Sequence, residues 1–418
     1  MADLWEKLRV AQARATHPPV EEHTAGDDPV PVAESAPPGW SWAAPLVAER
    51  RLNFSLDPGF WSAVAGGLRA ETWQGMLCFD TETTGLSGGA GTVPFLVGWA
   101  SLTAPDSTGL PRVEIRQWFL RDLPGEPDLI AALDGVFTQA RGLVSFNGAS
   151  FDLPLLRSRW SLVGRTFPER PHRDDLHPSR RLWKRLLESC SLSRLEEAVL
   201  GLRRIDDVPG SLVPALWFDY LRRGAGADFA TPLEGVLRHH AQDVYSLLCL
   251  DLLLASMRGR PEDSRWEESF GAFPERPHLA RLAPAGLLHP DPGRRIPVDF
   301  WGLLRLKDEA AAERSLESAW GREPTEAVGL AWADRLKRQG NDRAPRIWGD
   351  LWQSRNSYPA LEELLKWLEH RERTPRARAE ALGLIDQALK APFLPRVWRE
   401  ALEKRRLRLL RPARPAPT

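Results

Sequence analysis

Apolar and polar positions follow one another along this chain in three different rhythms. Near 76 to 80, 93 to 99, 113 to 119 and 142 to 146, short apolar runs are bounded by Gly, Asn or Pro, which predicts four β-strands. Between and after them apolar residues recur at helical spacing, as from Phe151 to Trp160 and in TPLEGVLRHHAQDVYSLLCLDLLL. In the second of these, Thr231 reads as an N-cap, Pro232 fits the first turn and Glu234 completes a capping box, while Ser193 with Glu196 reads as another such box. Strands that alternate with helices predict an α/β domain, assigned to 49–257. Residues 1–48 are rich in proline and small polar residues and read as a flexible tail. Residues 258–298 are a proline-rich linker in which no long helix could survive.

Over 299–411 the strand signals vanish and Leu, Ala, Arg and Glu carry tryptophans at helical spacing, so this part is expected to be all-α, with 412–418 a short tail. AVGLAWADRLKRQGNDRAPRIW from Ala327 and ALEELLKWLEHRERTPRARAEAL from Ala360 look like two copies of one helical hairpin. Their starts lie 33 residues apart, close to the ~34 of a tetratricopeptide unit.

Composition narrows the function. At 418 residues the chain exceeds one compact core. Lys plus Arg and Asp plus Glu both total 56, so no global positive field holds nucleic acid, and any polyanion site must be local. The eight basic residues from Arg396 to Arg414 could touch phosphate, but a solvated helix end is the favoured reading. Three cysteines, Cys78, Cys190 and Cys249, lie too far apart for a disulfide framework or a zinc cluster and point to a reducing compartment. The amino terminus lacks a signal-peptide pattern, and Asp251 interrupts the longest apolar run, so a cytoplasmic protein with no membrane span is expected.

Candidate chemistry gathers at the element ends. The alternation of a strand puts Asp80 and Glu82 on one face. Two such carboxylates can share a hard cation, and paired metals draw acids from further segments. Asp152 opens a helix just after the strand 142 to 146, facing back toward the strand tips. His239 and Asp243 are four apart and so stack on one helix face, with His240 in the same arc. An acid to hold metal and an imidazole to take a proton from water suit phosphodiester hydrolysis. Other features carry less. His172, Asp174, Asp175 and His177 match no zinc spacing, and Asp175 reads as supporting the site or starting the next helix. The Gly85 to Thr92 loop lacks the Gly-Lys-Ser/Thr of a phosphate cradle. Arg180, Arg181, Lys184 and Arg185 read as a solvated helix face or a backbone track.

FDTETTGL, FNGASFD and HHAQD, in that order, resemble the three motifs of the DEDD 3′-to-5′ exonucleases of the ribonuclease H-like superfamily. The region from about 76 to 257 looks closest to the YprB-like branch, through DDLHPSRRLW, SCSLSRLEEAVLG and DVPGSLVPALWFDYLRRG. The resemblance implies an α/β fold: a mixed five-stranded ribonuclease H-like sheet flanked by helices, with a fifth strand near 172 to 176, followed by an all-α tetratricopeptide-like domain. It makes Asp80, Glu82, Asp152 and Asp243 the ligands of two Mg²⁺ or Mn²⁺ ions and His239 the general base. His239 precedes Asp243 by four, not by the five of common histidine-type exonucleases, and YprB-like chains tend to carry His-Asn at His239-His240, so His240 stays open as an alternative base. The implied activity is removal of nucleotides from a 3′ end of DNA or RNA, single-stranded at that end, with a protein partner for the helical domain and no membrane. The alternatives are a nucleic-acid-binding or scaffold protein with a weak or vestigial site, and a structure-specific endonuclease on the same fold.

Overall fold

The computed structural model describes residues 35–410 apart from 86–90, 261–265, 269–286, 292–295, 299–301, 303–308 and several single or paired positions. A mixed seven-stranded sheet organises the chain up to residue 174. Its strands are β1 (Trp40–Ala44), β2 (Val47–Ser55), β3 (Met76–Thr83), β4 (Pro94–Leu102), β5 (Arg112–Leu120), β6 (Gly142–Ser145) and β7 (His172–Asp174), in the order β1-β2-β5-β4-β3-β6-β7. β3, β4 and β5 form an antiparallel meander, while β6 joins β3 in parallel with Met76 opposite Gly142, and β7 joins β6 likewise. β4 is buried along almost its whole length, which is why PFLVGWASL reads as one apolar run and not as an alternation.

The expected sheet had five strands, and the hairpin β1-β2 makes it seven. β1 and the first residues of β2 fall inside the stretch read as a flexible tail. WSWAA follows a proline pair and is too short to show a period, yet it pairs with β2, which is bonded to β5 over its full length. Residues 1–34 lie outside the described residues, as does most of the Gly85 to Thr92 loop.

Helices cover both sheet faces. We number α1 (Pro58–Val64), α2 (Glu126–Gln139), α3 (Asp152–Leu162), α4 (Leu176–Trp183), α5 (Val213–Arg222) and α6 (Ala230–Gly259). The β3 alternation sends Cys78 into one core with Phe54, Trp73, Trp183, Tyr245 and Leu252, and sends Leu77 and Phe79 into the other with Phe137, Trp160 and Trp217. In the second core Phe79 and Phe137 meet edge to face at 5.9 Å, a contact of about 0.5–1.5 kcal/mol beyond the area it buries. Two helix starts differ from expectation. α6 begins at Ala230, so the Thr231 amide, already inside the helix, donates to Asp228 Oδ1 at 3.2 Å and Thr231 is no cap. Ser191, not Ser193, caps the turn beginning at Leu192, accepting from the Arg194 amide at 3.3 Å.

The C-terminal helices are α7 (Glu309–Arg322), α8 (Glu326–Arg338), α9 (Ala344–Arg355), α10 (Tyr358–Trp367), α11 (Pro375–Leu389) and α12 (Arg396–Leu410). Trp332, Leu336, Trp348, Leu351, Leu365 and Ile385 share one core there. Thr325, Ser357 and Thr374 cap α8, α10 and α11, each side chain accepting from an amide of the first turn. On α12 most of the arginines meet neighbours: Arg405 and Arg408 reach Glu369, Arg406 reaches Asp386 at 2.6 Å and Arg396 reaches Glu400 at 2.8 Å. Among the described residues no helix is long and apolar enough to cross a membrane.

Candidate metal centre

The site forms where β3 runs out of the sheet interior. Asp80 and Glu82 sit half-buried on the face shared with α6, opposite Gly98 and Leu96 of β4. From α6, His239 and Asp243 reach the same place: His239 Nε2 lies 3.1 Å from Asp243 Oδ2 and 4.0 Å from Glu82 Oε1. One donor atom from each of Glu82, His239 and Asp243 falls within 4.8 Å of the others. Asp152, buried at the first residue of α3, is reached from Thr81 on the opposite β3 face, whose Oγ1 donates to Asp152 Oδ1 at 2.5 Å.

The loop that delivers Asp152 is tightly specified. Asn147 adopts a left-handed φ of 70°, a conformation asparagine tolerates. A Cβ at Gly148 would lie 2.4 Å from Ser145 Oγ and 3.1 Å from Asp152 Oδ2, so only glycine fits beside that carboxylate. Asp174 at the end of β7 accepts from the amides of Asn147 at 2.8 Å and Ala149 at 3.0 Å. His172 meets Ser145 Oγ at 2.9 Å. The His172 to His177 group therefore does not assemble as a metal cluster. Asp175 stands at the N-cap position of α4 without a capping bond, fully buried, and neither of its carboxyl oxygens has a hydrogen-bond partner.

Crowded carboxyls shape the electrostatics. Burial, and then the charges of Asp152, Asp243 and Glu82, hold the Asp80 carboxyl well above the usual carboxylate range. Burial and the Asp243 charge push Glu82 up to about 8, and burial pushes Asp152 to about 6 against the opposing Thr81 bond. Asp243 goes the other way, to about 2, because Arg204 and His239 outweigh its burial. His239, although burial disfavours its charge, is held up to about 10 by its bonds to Asp207 and Asp243. Carboxylates that resist ionising together, with an imidazole beside them, form a donor set suited to a hard divalent cation.

The two adjacent histidines part company. His240 is completely buried between α6 and the sheet. Its Nε2 donates to the Asp80 carbonyl at 3.1 Å, and its Nδ1 accepts from Gln117 Nε2 at 2.8 Å. Gln117 Oε1 in turn accepts from Arg50 Nε at 3.0 Å. Gly98 leaves room for the ring, since a Cβ there would stand 2.7 Å from His240 Cε1. His240 thus ties α6 to the backbone of Asp80, while His239 faces the acids.

Three participants escaped the sequence reading. Arg204 Nη2 binds Asp243 Oδ1 at 2.5 Å and also Glu196, which is why Glu196 is a buried ion-pair partner and not a helix cap. Asp207 Oδ1 lies 2.9 Å from His239 Nδ1. Thr81 lies inside the FDTETTGL motif, but its bond to Asp152 depends on where α3 starts.

A mixed sheet whose strand β3 carries two acids facing an acid and a histidine from a helix fits the ribonuclease H-like nuclease fold. The chain belongs to the RNase_H superfamily, whose family model matches residues 77–254. It is also similar to the uncharacterized protein YprB of Bacillus subtilis (strain 168), at 30% identity over 319 residues, covering 74% of this chain and 68% of that protein.

Proposed function

We propose that the protein is a metal-dependent exonuclease that hydrolyses phosphodiester bonds from the 3′ end of a nucleic acid strand. The observation that carries this reading is the grouping of Glu82 from β3 with His239 and Asp243 from α6, beside Asp80, whose carboxyl is raised by burial and by the charges of Asp152, Asp243 and Glu82. Asp80, Glu82, Asp152 and Asp243 would hold two Mg²⁺ or Mn²⁺ ions, which supply charge stabilisation at the attacking and leaving oxygens. The elevation of the Asp80 and Glu82 carboxyls, by burial first and then by the neighbouring acids, supports that assignment, because a bound cation would relieve such crowding.

His239 is the proton acceptor in this scheme. Its Nε2 faces Asp243 at 3.1 Å and Glu82 at 4.0 Å, on the side where the acids stand, and from there would take the proton of an attacking water. The water oxygen bonds to phosphorus, the bond to the 3′ oxygen of the preceding nucleotide breaks, and the released nucleotide keeps the phosphate. The buried placement of His240 supports His239 over it for this role. The substrate is DNA or RNA with a single-stranded 3′ end, and the C-terminal helices serve as a tetratricopeptide-like platform for a protein partner. Three free cysteines support a cytoplasmic setting.

The test is a degradation time course on 5′-labelled single-stranded DNA and RNA, with Mn²⁺, Mg²⁺ or chelator, running wild type beside Asp80→Ala. A ladder shortening from the 3′ end, abolished by chelator and by the substitution, is the expected result. Full hydrolytic rate in Asp80→Ala overturns the metal assignment. Internal fragments would indicate endonuclease action, and no hydrolysis of either strand would indicate a nucleic-acid-binding or scaffold role.

A further inference from the structure

We propose that Asp207 is a positioning residue that fixes the ring orientation and tautomer of His239, an inference that rests on the hydrolytic reading above. A histidine can take a proton at Nε2 only if its hydrogen resides on Nδ1, and a freely rotating imidazole satisfies that condition part of the time. Here Asp207 Oδ1 stands 2.9 Å from Nδ1. A carboxylate can only accept, so a hydrogen belongs on Nδ1, and Nε2, 3.1 Å from Asp243 Oδ2 and 4.0 Å from Glu82 Oε1, is the nitrogen turned toward the acids.

The carboxylate is itself held. Arg204 Nη1 reaches Asp207 Oδ2 at 3.4 Å, while Nη2 is committed to Glu196 and Asp243. Nη1 also lies 3.2 Å from His239 Nδ1, but both are donors once Nδ1 carries its hydrogen, so the productive partner of Nη1 is Asp207. Glu196 is buried, which anchors the guanidinium that reaches Asp207. Glu196, Arg204 and Asp207 therefore form a bracket behind the His239–Asp243 pair, built from a stretch that contains none of the three acid motifs. The Asp207 side chain is about a third exposed, so shortening it leaves no cavity in the core.

Two readouts test this separately from the hydrolytic reading. In ¹⁵N-histidine-labelled protein, His239 is expected to show an Nδ1–H resonance protected from exchange, identified by its loss in His239→Gln and absent in Asp207→Ala. Such a resonance exists whether the ring carries one proton or two, so its absence from wild type overturns the proposal even if the protein hydrolyses nothing. The second readout is a kinetic cycle on labelled single-stranded DNA with Mn²⁺. Asp207→Ala should lower kcat about 10- to 100-fold with KM and Mn²⁺ affinity unchanged, Asp207→Asn should recover part of the loss, and Asp207→Ala should add nothing in a His239→Ala background. Equal losses in both backgrounds would mean that Asp207 acts other than through His239, and would overturn the proposal. A protected Nδ1–H with no hydrolysis by wild type would instead refute the exonuclease reading while leaving the bracket intact.

Discussion

Acidification should unlock the fold at His240 before it disturbs most other groups. This imidazole is fully buried, and its two nitrogens have fixed roles: Nε2 donates to the Asp80 carbonyl and Nδ1 accepts from Gln117. A second proton would have to sit on Nδ1, facing the hydrogens of Gln117 Nε2. Burial accordingly pushes the imidazole down to about 4 from its ordinary 6.5. Between those values the unfolded chain binds a proton that the folded chain refuses, so stability is full above 6.5 and declines as the pH falls through the window. The depression of about two and a half units corresponds to about 3 kcal/mol, of which about 2 kcal/mol is lost by pH 5. Urea unfolding of wild type and His240→Gln at pH 7.5 and pH 5 isolates this contribution. The wild type should lose about 2 kcal/mol more than the variant on acidification. Equal losses would show that His240 titrates normally, and that the hydrogen-bond chain from Arg50 through Gln117 does not hold it neutral.

Three further substitutions probe the surroundings of the site. Thr81→Val removes the donor to Asp152 and should weaken Mg²⁺ or Mn²⁺ binding about 10- to 100-fold by calorimetry, and an unchanged affinity would deny Thr81 any part in orienting Asp152. Gly98→Ala would put a Cβ 2.5 Å from the Arg116 carbonyl and 2.7 Å from His240, and should destabilise the protein by about 1–3 kcal/mol in denaturant titrations. A loss below about 0.5 kcal/mol would show that β4 can move aside. Burial and the Asp251 charge raise the Asp175 carboxyl well above the usual carboxylate range, so the wild type should lose stability as the pH rises from that range toward the raised pKa. Asp175→Asn lacks that slope and should gain more over wild type at pH 7.5 than at pH 5. The same difference at both pH values would mean that the carboxyl is ionised in the fold.

What the sequence discloses here is chemistry carried by local pattern. MLCFD opens a strand whose residues alternate between two cores, and the same alternation aims Asp80 and Glu82 together. The helical period does the same for His239 and Asp243. The hidden parts depend on residues distant in sequence. Nothing in LEEAVLGLRR shows that Glu196 will serve Arg204 instead of a helix amide, since that pairing joins residues eight positions apart and outside any one regular element. Likewise the division between His239 and His240 is decided by Gln117, Gly98 and Asp80, three residues on other strands. WSWAA becomes a strand only because β2 supplies a partner.

The two borders of the sheet are both abbreviated. β7 has three residues, and β1 has five with an irregularity in its pairing between Trp42 and Ala44. Unpaired amides and carbonyls along a long flat border invite a second molecule to add a strand, and short, irregular borders deny it a template. β2, nine residues long and straight-paired to β5, would present such a border if β1 were missing. The small hairpin that begins at Trp40 therefore does more than extend the sheet. It keeps β2 covered, and with it the protein's resistance to edge-to-edge self-association.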